Sequence, residues 1–392
     1  MYHEPEFEPD RDEMLDILRE HIPFLNRSEP VPLYEADGRF AAEDIRAPYT
    51  LPNRDVSACD GIAVCFHAFQ TNPDTSDWRE NIEYCFSNTG VAVPDRFDTV
   101  IPIEQVEFDV NRCLRLKKRP ARKGEKVRPA GSQMKQGEIL VEKGEQLQPV
   151  TIGILAAAGY QSISVFAKPN VIFIPTGDEL VPSGGPVPEG MNVECNSVLV
   201  SALIRRFGGS PAVTSIIPDD VDAIRKAIAK SVVRADLVVI GAGSSKGSKD
   251  YTLDVLYEMG KVVVSEIGVA PGKHCCLVIV DDVPVIGIPG PPGGAQLATQ
   301  YYVKAALELE MTGTILQGQR VNAVLDTTVT PKWIDFMQTV RLYEKDGLLF
   351  ACPVSSDNKT RAENREVFRS VLYCKRETVY VKGQTVAIEV NF

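Results

Sequence analysis

Between about residues 168 and 309 the sequence alternates apolar runs of strand length with amphipathic runs of helix length, and no other feature limits its fold as strongly. Val171–Pro175 reads as a buried strand. Asn196–Phe207 reads as a helix closed by Gly208-Gly209, since glycine takes the left-handed turn that ends a helix. Ala212–Ile217 predicts a strand. Asp219–Val233 predicts a helix with an acidic first turn and with Val221, Ile224, Ile228 and Val232 on one face. Leu237–Ile240 predicts a strand, then a glycine/serine loop, then a helix at Tyr251–Met259. Val262–Ile267, Leu277–Val280 and Val285–Ile288 predict strands, and Gly294–Leu309 a helix. Such alternation predicts an α/β domain, at 169–312, with a mostly parallel sheet covered on both faces.

The flanks differ. Residues 10–26 predict a helix that Asp10 can cap, with Met14, Leu15, Leu18 and Ile22 at helical spacing. Irregular sequence rich in Pro and Tyr follows, to Pro52. Over 53–145 the pattern is short strands: Gly61–Val64, Ile82–Phe86, Thr99–Ile103, Val106–Val110, Leu114–Lys117 and Glu138–Val141. Turn residues separate them, so a small β domain is expected. Pro149–Gly159 predicts a helix, with Pro at its start and Gly at its end. Residues 313–392 return to strands and predict a small sandwich or barrel. The fold class expected is multidomain α/β plus β.

Composition narrows the function. At 44% hydrophobic and 24% charged residues, the chain can bury a large core. No apolar run approaches the ~20 residues that span a bilayer, so no membrane span is expected. The N-terminus is acidic and lacks the basic start of a secretory signal, so a cytoplasmic location is expected. A formal net charge of −11 argues against nucleic acid as a partner. It leaves anionic ligands open, because backbone amides bind phosphate without help from net charge. The nine cysteines form no C-x-x-C pair and the four histidines supply no zinc spacing, so reduced, mostly buried thiols are expected.

In open α/β sheets ligands bind beyond the carboxyl ends of the strands. Three loops leave such ends: Thr176-Gly177-Asp178-Glu179-Leu180, Gly241 to Asp250, and Pro289-Gly290-Pro291-Pro292-Gly293-Gly294. On one rim they would make one pocket. In the second loop Gly241, Gly243 and Gly247 free the backbone to cradle an oxyanion, Ser244 and Ser245 add donors, and Lys246 and Lys249 add charge. The loop lacks both Walker A and G-x-G-x-x-G spacing. Asp178, Glu179 and Asp250 offer carboxylates that suit Mg²⁺ beside ligand phosphates. The plainer alternatives are a turn at Asp178-Glu179 and a helix cap at Asp250. Pro271-Gly272-Lys273-His274 precedes a predicted strand, and Lys273 is placed to meet an anion or simply solvent. Ser57-Ala58-Cys59-Asp60-Gly61-Ile62-Ala63-Val64 reads, by itself, as a turn before a strand.

Together these segments resemble the molybdopterin molybdenumtransferases, the MoeA family that includes the gephyrin E domain. Residues 57–64 resemble its S-A-M-D-G-Y-A-V signature, and Thr176 to Val181 match T-G-D-E-L-V. Gly241 to Tyr251 are similar to G-G-V-S-x-G-x-x-D-Y. Pro271-Gly272-Lys273 resembles part of K-P-G-K-P, and Pro289-Gly290-Pro291-Pro292 resembles P-G-N-P. Arg128 to Gly131, with Gly137 and Gly144, resembles R-x-x-G-x-D-x-x-x-G. The resemblance implies an elongated linking region (1–52 and 146–168), a small β domain (53–145), a three-layer molybdopterin-binding α/β domain (169–312) and a C-terminal, barrel-like β domain (313–392). It implies a homodimer in which Asp60 of one subunit faces the α/β pocket of the other. It also implies insertion of molybdate into adenylylated molybdopterin, with AMP released and Mg²⁺ assisting. Asp60, Glu179 and Asp250 would then be catalytic, and Asp178, Glu179 and Asp250 would hold the metal. Thr176, Gly177, Gly241, Gly243, Ser244, Ser245, Gly247, Pro271, Gly272, Lys273, Pro289, Gly290 and Pro292 would bind the pterin substrate. A molybdoenzyme or another protein of cofactor assembly would be a protein partner.

The chain also departs from the family pattern. Ala270 and His274 stand where K-P-G-K-P has Lys and Pro, Gly294 where a serine follows P-G-N-P, and Gln133 where the arginine motif has Asp. No S-G-S motif lies between about 350 and 370. These departures define an alternative, a molybdopterin-binding carrier or sensor without transferase activity. A nucleotide-cleaving enzyme of the related competence-damage type would lack the Asp60 segment.

Overall fold

The computed structural model describes residues 7–242, 251–330, 332–354 and 369–391. The chain forms two compact units, Met1–Ser28 with Phe166–Phe392, and Glu29–Val165.

In the larger unit, α1 (Arg11–His21) opens with a capping box. Asp10 accepts from the Asp12 and Glu13 amides, and Glu13 accepts from the Asp10 amide at 2.8 Å. Met14 and Leu18 are fully buried. The helix stops at Ile22, short of the predicted residue 26, because Pro23 disfavours helical backbone in the residue before it.

One six-stranded sheet dominates this unit. Its strands are β1 (Asn170–Ile174), β2 (Ser210–Val213), β3 (Leu237–Ala242), β4 (Lys261–Val264), β5 (Cys276–Val280) and β6 (Val283–Pro289), in the order β2-β1-β3-β6-β5-β4. The first four in that order run parallel, and β5 and β4 complete the edge antiparallel. Leu237, Val238, Val239 and Ile240 are all fully buried. A strand covered on both faces therefore reads as a continuous apolar run, each side chain contributing roughly 1.5–3 kcal/mol. Helices α2 (Asn196–Arg206), α3 (Val221–Val232), α4 (Thr252–Met259) and α5 (Pro292–Ala298) flank the sheet. Ile224, Ile228 and Val232 of α3 and Val255 and Leu256 of α4 cover one face, against Ile174, Val238, Ile240 and Val285. The predicted helix 294–309 is α5 followed by a π-helical turn, Thr299–Val303, and α6 (Lys304–Thr312).

The C-terminal strands are β7 (Gln319–Leu325), β8 (Asp335–Lys345), β9 (Leu348–Pro353), β10 (Ser370–Cys374) and β11 (Thr385–Val390). They pair in the ring β8-β9-β7-β11-β10, and β10 returns to β8. This closed barrel decides between the sandwich and the barrel, and closure leaves none of its five strands at an edge. Val269–Ala270 pairs with β8 and ties the chain before Pro271 to the barrel.

The smaller unit is built of short antiparallel strands. Gly61–Val64 lies between Tyr84–Ser87 and Thr99–Pro102. A Cβ at position 61 would fall 2.0 Å from the Ile101 carbonyl oxygen, so strand packing, beyond turn chemistry, requires Gly61.

Glu310 on α6 is 1% exposed, and neither carboxylate oxygen has a hydrogen-bond partner. Burial holds its pKa well above 4.5; Asp236 adds to this and Arg27 opposes it. A raised carboxyl pKa favours the fold at pH below 4.5, and that benefit is lost as pH rises toward the folded value. Glu310→Gln should therefore stabilise the chain at pH 8 by about 1–3 kcal/mol in urea unfolding, and much less at pH 4. Equal effects at both pH values would contradict this.

Candidate active site

Parallel register sets the site. Ile174 pairs with Ile240, and Ile240 with Gly287, so the loops after β1, β3 and β6 leave the sheet at one level. They meet around a cleft of about 380 Å³ lined by Thr176, Glu179, Leu180, Gly241, Gly290, Pro291 and Pro292, with Phe173 and Pro175 below. The Thr176 hydroxyl donates to the Gly241 carbonyl at 2.5 Å and ties the first two loops together. Gly177 has φ +145°, a conformation that favours glycine, and a Cβ there would lie 2.8 Å from Glu179 Oε2 and push that carboxylate aside. Gly177 also donates its amide to the Ile217 carbonyl at 3.1 Å.

Asn192 and Val193, with Glu194, Cys195 and Asn196 at the start of α2, form the remaining wall and were not among the sequence candidates. Asn196 Nδ2 donates to the Gly290 carbonyl at 2.7 Å and fixes the third loop, while its buried Oδ1 has no partner. Glu194 is 9% exposed and accepts from the Ser197 amide at 2.9 Å, capping α2. The sequence held a usable signal: a helix that follows a parallel strand starts at the carboxyl rim, so the N-terminus of α2 belongs there.

The other candidates fall in different places. Asp178 is exposed; its Oδ1 accepts from the Asp219 amide at 3.1 Å, its own amide donates back at 3.3 Å, and it is not part of the cleft wall. Gly243, Ser244, Ser245, Lys246, Gly247, Lys249 and Asp250 lie outside the described residues. Among the described residues, no group of three or more His, Cys, Asp or Glu could hold a metal ion. Cys276 pairs with Gly287, which brings Pro271, Gly272 and Lys273 to the same rim, yet none of them lines the cleft. Lys273 Nζ sits 2.9 Å from Glu8 and 3.6 Å from the buried Glu266, and 5.4 Å over the Trp333 ring. The solvated side chain of the plainer expectation is thus corrected to an ion-paired one. Pro289 is buried beneath the third loop, where a Cβ on Gly294 would meet it at 2.9 Å. In the smaller unit Asp60 is exposed, and its Oδ1 accepts from the Thr89 amide at 2.7 Å and hydroxyl at 3.1 Å.

A second cleft, about 320 Å³, lies between α1, α6 and the barrel. Its charges are largely paired: Glu389 accepts from Arg11 at 2.6 Å and from Arg320 at 2.9 Å.

A parallel sheet with a rim cleft, joined to a closed barrel and accompanied by a separate β unit, defines a multidomain protein of the α/β plus β class. Residues 10–159 match the model of the MoeA N-terminal region (domain I and II), and residues 172–308 match that described as "Probable molybdopterin binding domain". The molybdopterin molybdenumtransferase of Haemophilus influenzae is 30% identical over 309 residues, 76% of each chain. That of Bacillus subtilis is 26% identical over 362 residues, 87% of this chain and 84% of its own. The crystal structure of the molybdopterin biosynthesis MoeA protein of Pyrococcus horikoshii has a TM-score of 0.78 at 26% identity, covering 98% of this chain and 99% of that one. The chain belongs to the molybdopterin molybdenumtransferase family, and its fold is that of MoeA. Among the described residues, no helix is long and apolar enough to cross a membrane.

Gly177→Ala should cost about 1–3 kcal/mol of stability by forcing a side chain into a disfavoured backbone region. Gly185→Ala, at an exposed position with nothing within 4 Å of its Cβ, serves as the control. Equal unfolding midpoints for the two variants would show that the first loop is not held as described.

Proposed function

We propose that this chain inserts molybdate into adenylylated molybdopterin and releases AMP. The observation that carries this is the convergence of Thr176, Glu179, Gly241, Asn196 and Gly290 on one cleft, in the domain matched by the molybdopterin-binding model. Gly241 and Gly290 would leave room at the cleft for the phosphate end of the substrate, with Thr176 and Gly177 shaping the first loop beside it. Gly243, Ser244, Ser245 and Gly247 would complete that cradle, and Pro289 and Pro292 would shape its floor. Pro271, Gly272 and Lys273 would flank it, with Lys273 offsetting anionic charge once its carboxylate partners yield.

Oxygen donors of this kind suit Mg²⁺. Glu179 would hold it from the cleft wall with Asp250, and Asp178 would join by releasing the Asp219 amide. When bound, Mg²⁺ would offset charge on the phosphate oxygens. Asp60, Glu179 and Asp250 are the proposed catalytic carboxylates. One Asp60 oxygen accepts two bonds from Thr89, which fixes the turn and orients the carboxylate. The four-part domain division, a cytoplasmic location, a protein partner in cofactor assembly, and a homodimer pairing Asp60 with the partner subunit's cleft belong to the same proposal.

Purified protein incubated with adenylylated molybdopterin, molybdate and Mg²⁺ should release AMP and form active cofactor. Ligand retention without AMP release would instead show a carrier. Asp60→Ala should lower turnover by orders of magnitude with little loss of affinity, because the carboxylate acts mainly in the transition state. Asp60→Asn keeps the turn, so full activity in that variant would remove Asp60 from catalysis. Light scattering should give a dimer at micromolar concentration; a monomer across that range would oppose the shared site.

A further inference from the structure

Residues 117–128 hold seven basic residues and one acidic residue, in a chain whose net charge is −11. Some of these cations are engaged. Lys117 pairs with Glu107 at 3.0 Å, Lys123 with Asp98 at 3.5 Å, and Arg119 donates to the Pro73 carbonyl at 2.7 Å. The side chains of Lys118 and Lys126 have no partner among the described residues, although the chain offers 53 carboxylates against 42 basic groups.

These two lysines are also placed together. With Arg119 they line a concavity of about 480 Å³ in the smaller unit, whose wall includes Cys59, Glu104 and Glu125. Glu125 is occupied by the Ala121 amide at 2.6 Å. The strand Val127–Arg128 pairs with Val56–Ser57, and the Ala58 amide donates to the Lys126 carbonyl at 2.9 Å. Backbone pairing thus fixes Lys126 opposite the Ala58-Cys59-Asp60 turn. Burial raises the Cys59 thiol pKa and Lys126 opposes it, while Glu104 and Asp60 add to it, so these charges share one local field.

Lys118 and Lys126 are exposed, and what sets them apart from an ordinary solvated charge run is the shared concave wall and, for Lys126, a fixed place beside the Asp60 turn. Two unpaired ammonium groups across such a wall are matched by a multiply charged oxyanion, whose charge-assisted hydrogen bonds are about twice as strong as neutral ones. We propose that Lys118 and Lys126 bind such an oxyanion, the phosphoanhydride of the adenylylated substrate or molybdate itself, and position it against Asp60. This rests on the reading of Asp60 as catalytic.

The test titrates the full-length protein with inorganic pyrophosphate and, separately, with molybdate. Wild type is compared with Lys118→Gln/Lys126→Gln and Lys118→Arg/Lys126→Arg. The glutamine pair should lose affinity for one anion by about tenfold or more, and the arginine pair should keep it, with all melting temperatures equal. The anion affected identifies which source the lysines hold. In the AMP-release assay the glutamine pair should raise KM for that reactant and leave kcat nearly unchanged. Wild-type affinity for both anions in the glutamine pair overturns the proposal, as does failure of the wild type to bind either. Failure of the enzymatic reading is distinguishable: wild type would release no AMP while the lysine-dependent binding persisted.

Discussion

Register in the parallel half of the sheet is the constraint on which the site depends. Ile174, Ile240 and Gly287 lie level across β1, β3 and β6. A slip of one residue would turn every buried side chain of β3 to the opposite face. Leu237–Ile240 is buried on both faces, so what opposes that slip is the close packing of differently shaped side chains on each face. The apolar core thereby fixes where three polar loops begin. Two local bonds then finish the cleft, Thr176 to the Gly241 carbonyl and Asn196 to the Gly290 carbonyl.

The antiparallel edge adds a second constraint. β5 returns beside β6 and brings Pro271, Gly272 and Lys273 to the same rim. Val269–Ala270 anchors this segment to the barrel through β8. Lys273 is held there by Glu8 and the buried Glu266. Removing the lysine charge would leave the buried Glu266 carboxylate with His274, 3.1 Å away, as its neighbouring partner, so part of its desolvation cost would go unmet. The barrel therefore acts as a brace for one side of the rim.

Much of this was legible in the sequence, for a physical reason. Strands buried on both faces must be apolar throughout, so β1, β3 and β6 stood out, and glycines with turn residues marked the loops after them. The Asp10 cap of α1 was legible because it is local, and the structure adds Glu13 as its reciprocal partner. What was not legible depends on long-range contacts. Nothing in residues 313–392 distinguishes a sandwich from a barrel until β10 pairs with β8. Gly61 looked like a turn residue, and only the approach of Ile101 shows that a Cβ cannot fit. The bond between Asp178 and Asp219, which joins loops 41 residues apart in sequence, could not be read from either segment alone. Asn196 was read as a helix start, and its role as a strut for Gly290 appears only when the helix is folded back on the sheet.

The central claim is that the carboxyl rim of β1, β3 and β6 is where the substrate binds. Hydrogen–deuterium exchange on the full-length protein, with and without adenylylated molybdopterin, tests it most directly. Bound ligand should slow exchange at the amides of residues 176–180, 194–197 and 293–294. Protection confined to the cleft between α1, α6 and the barrel, with the rim unchanged, would contradict it.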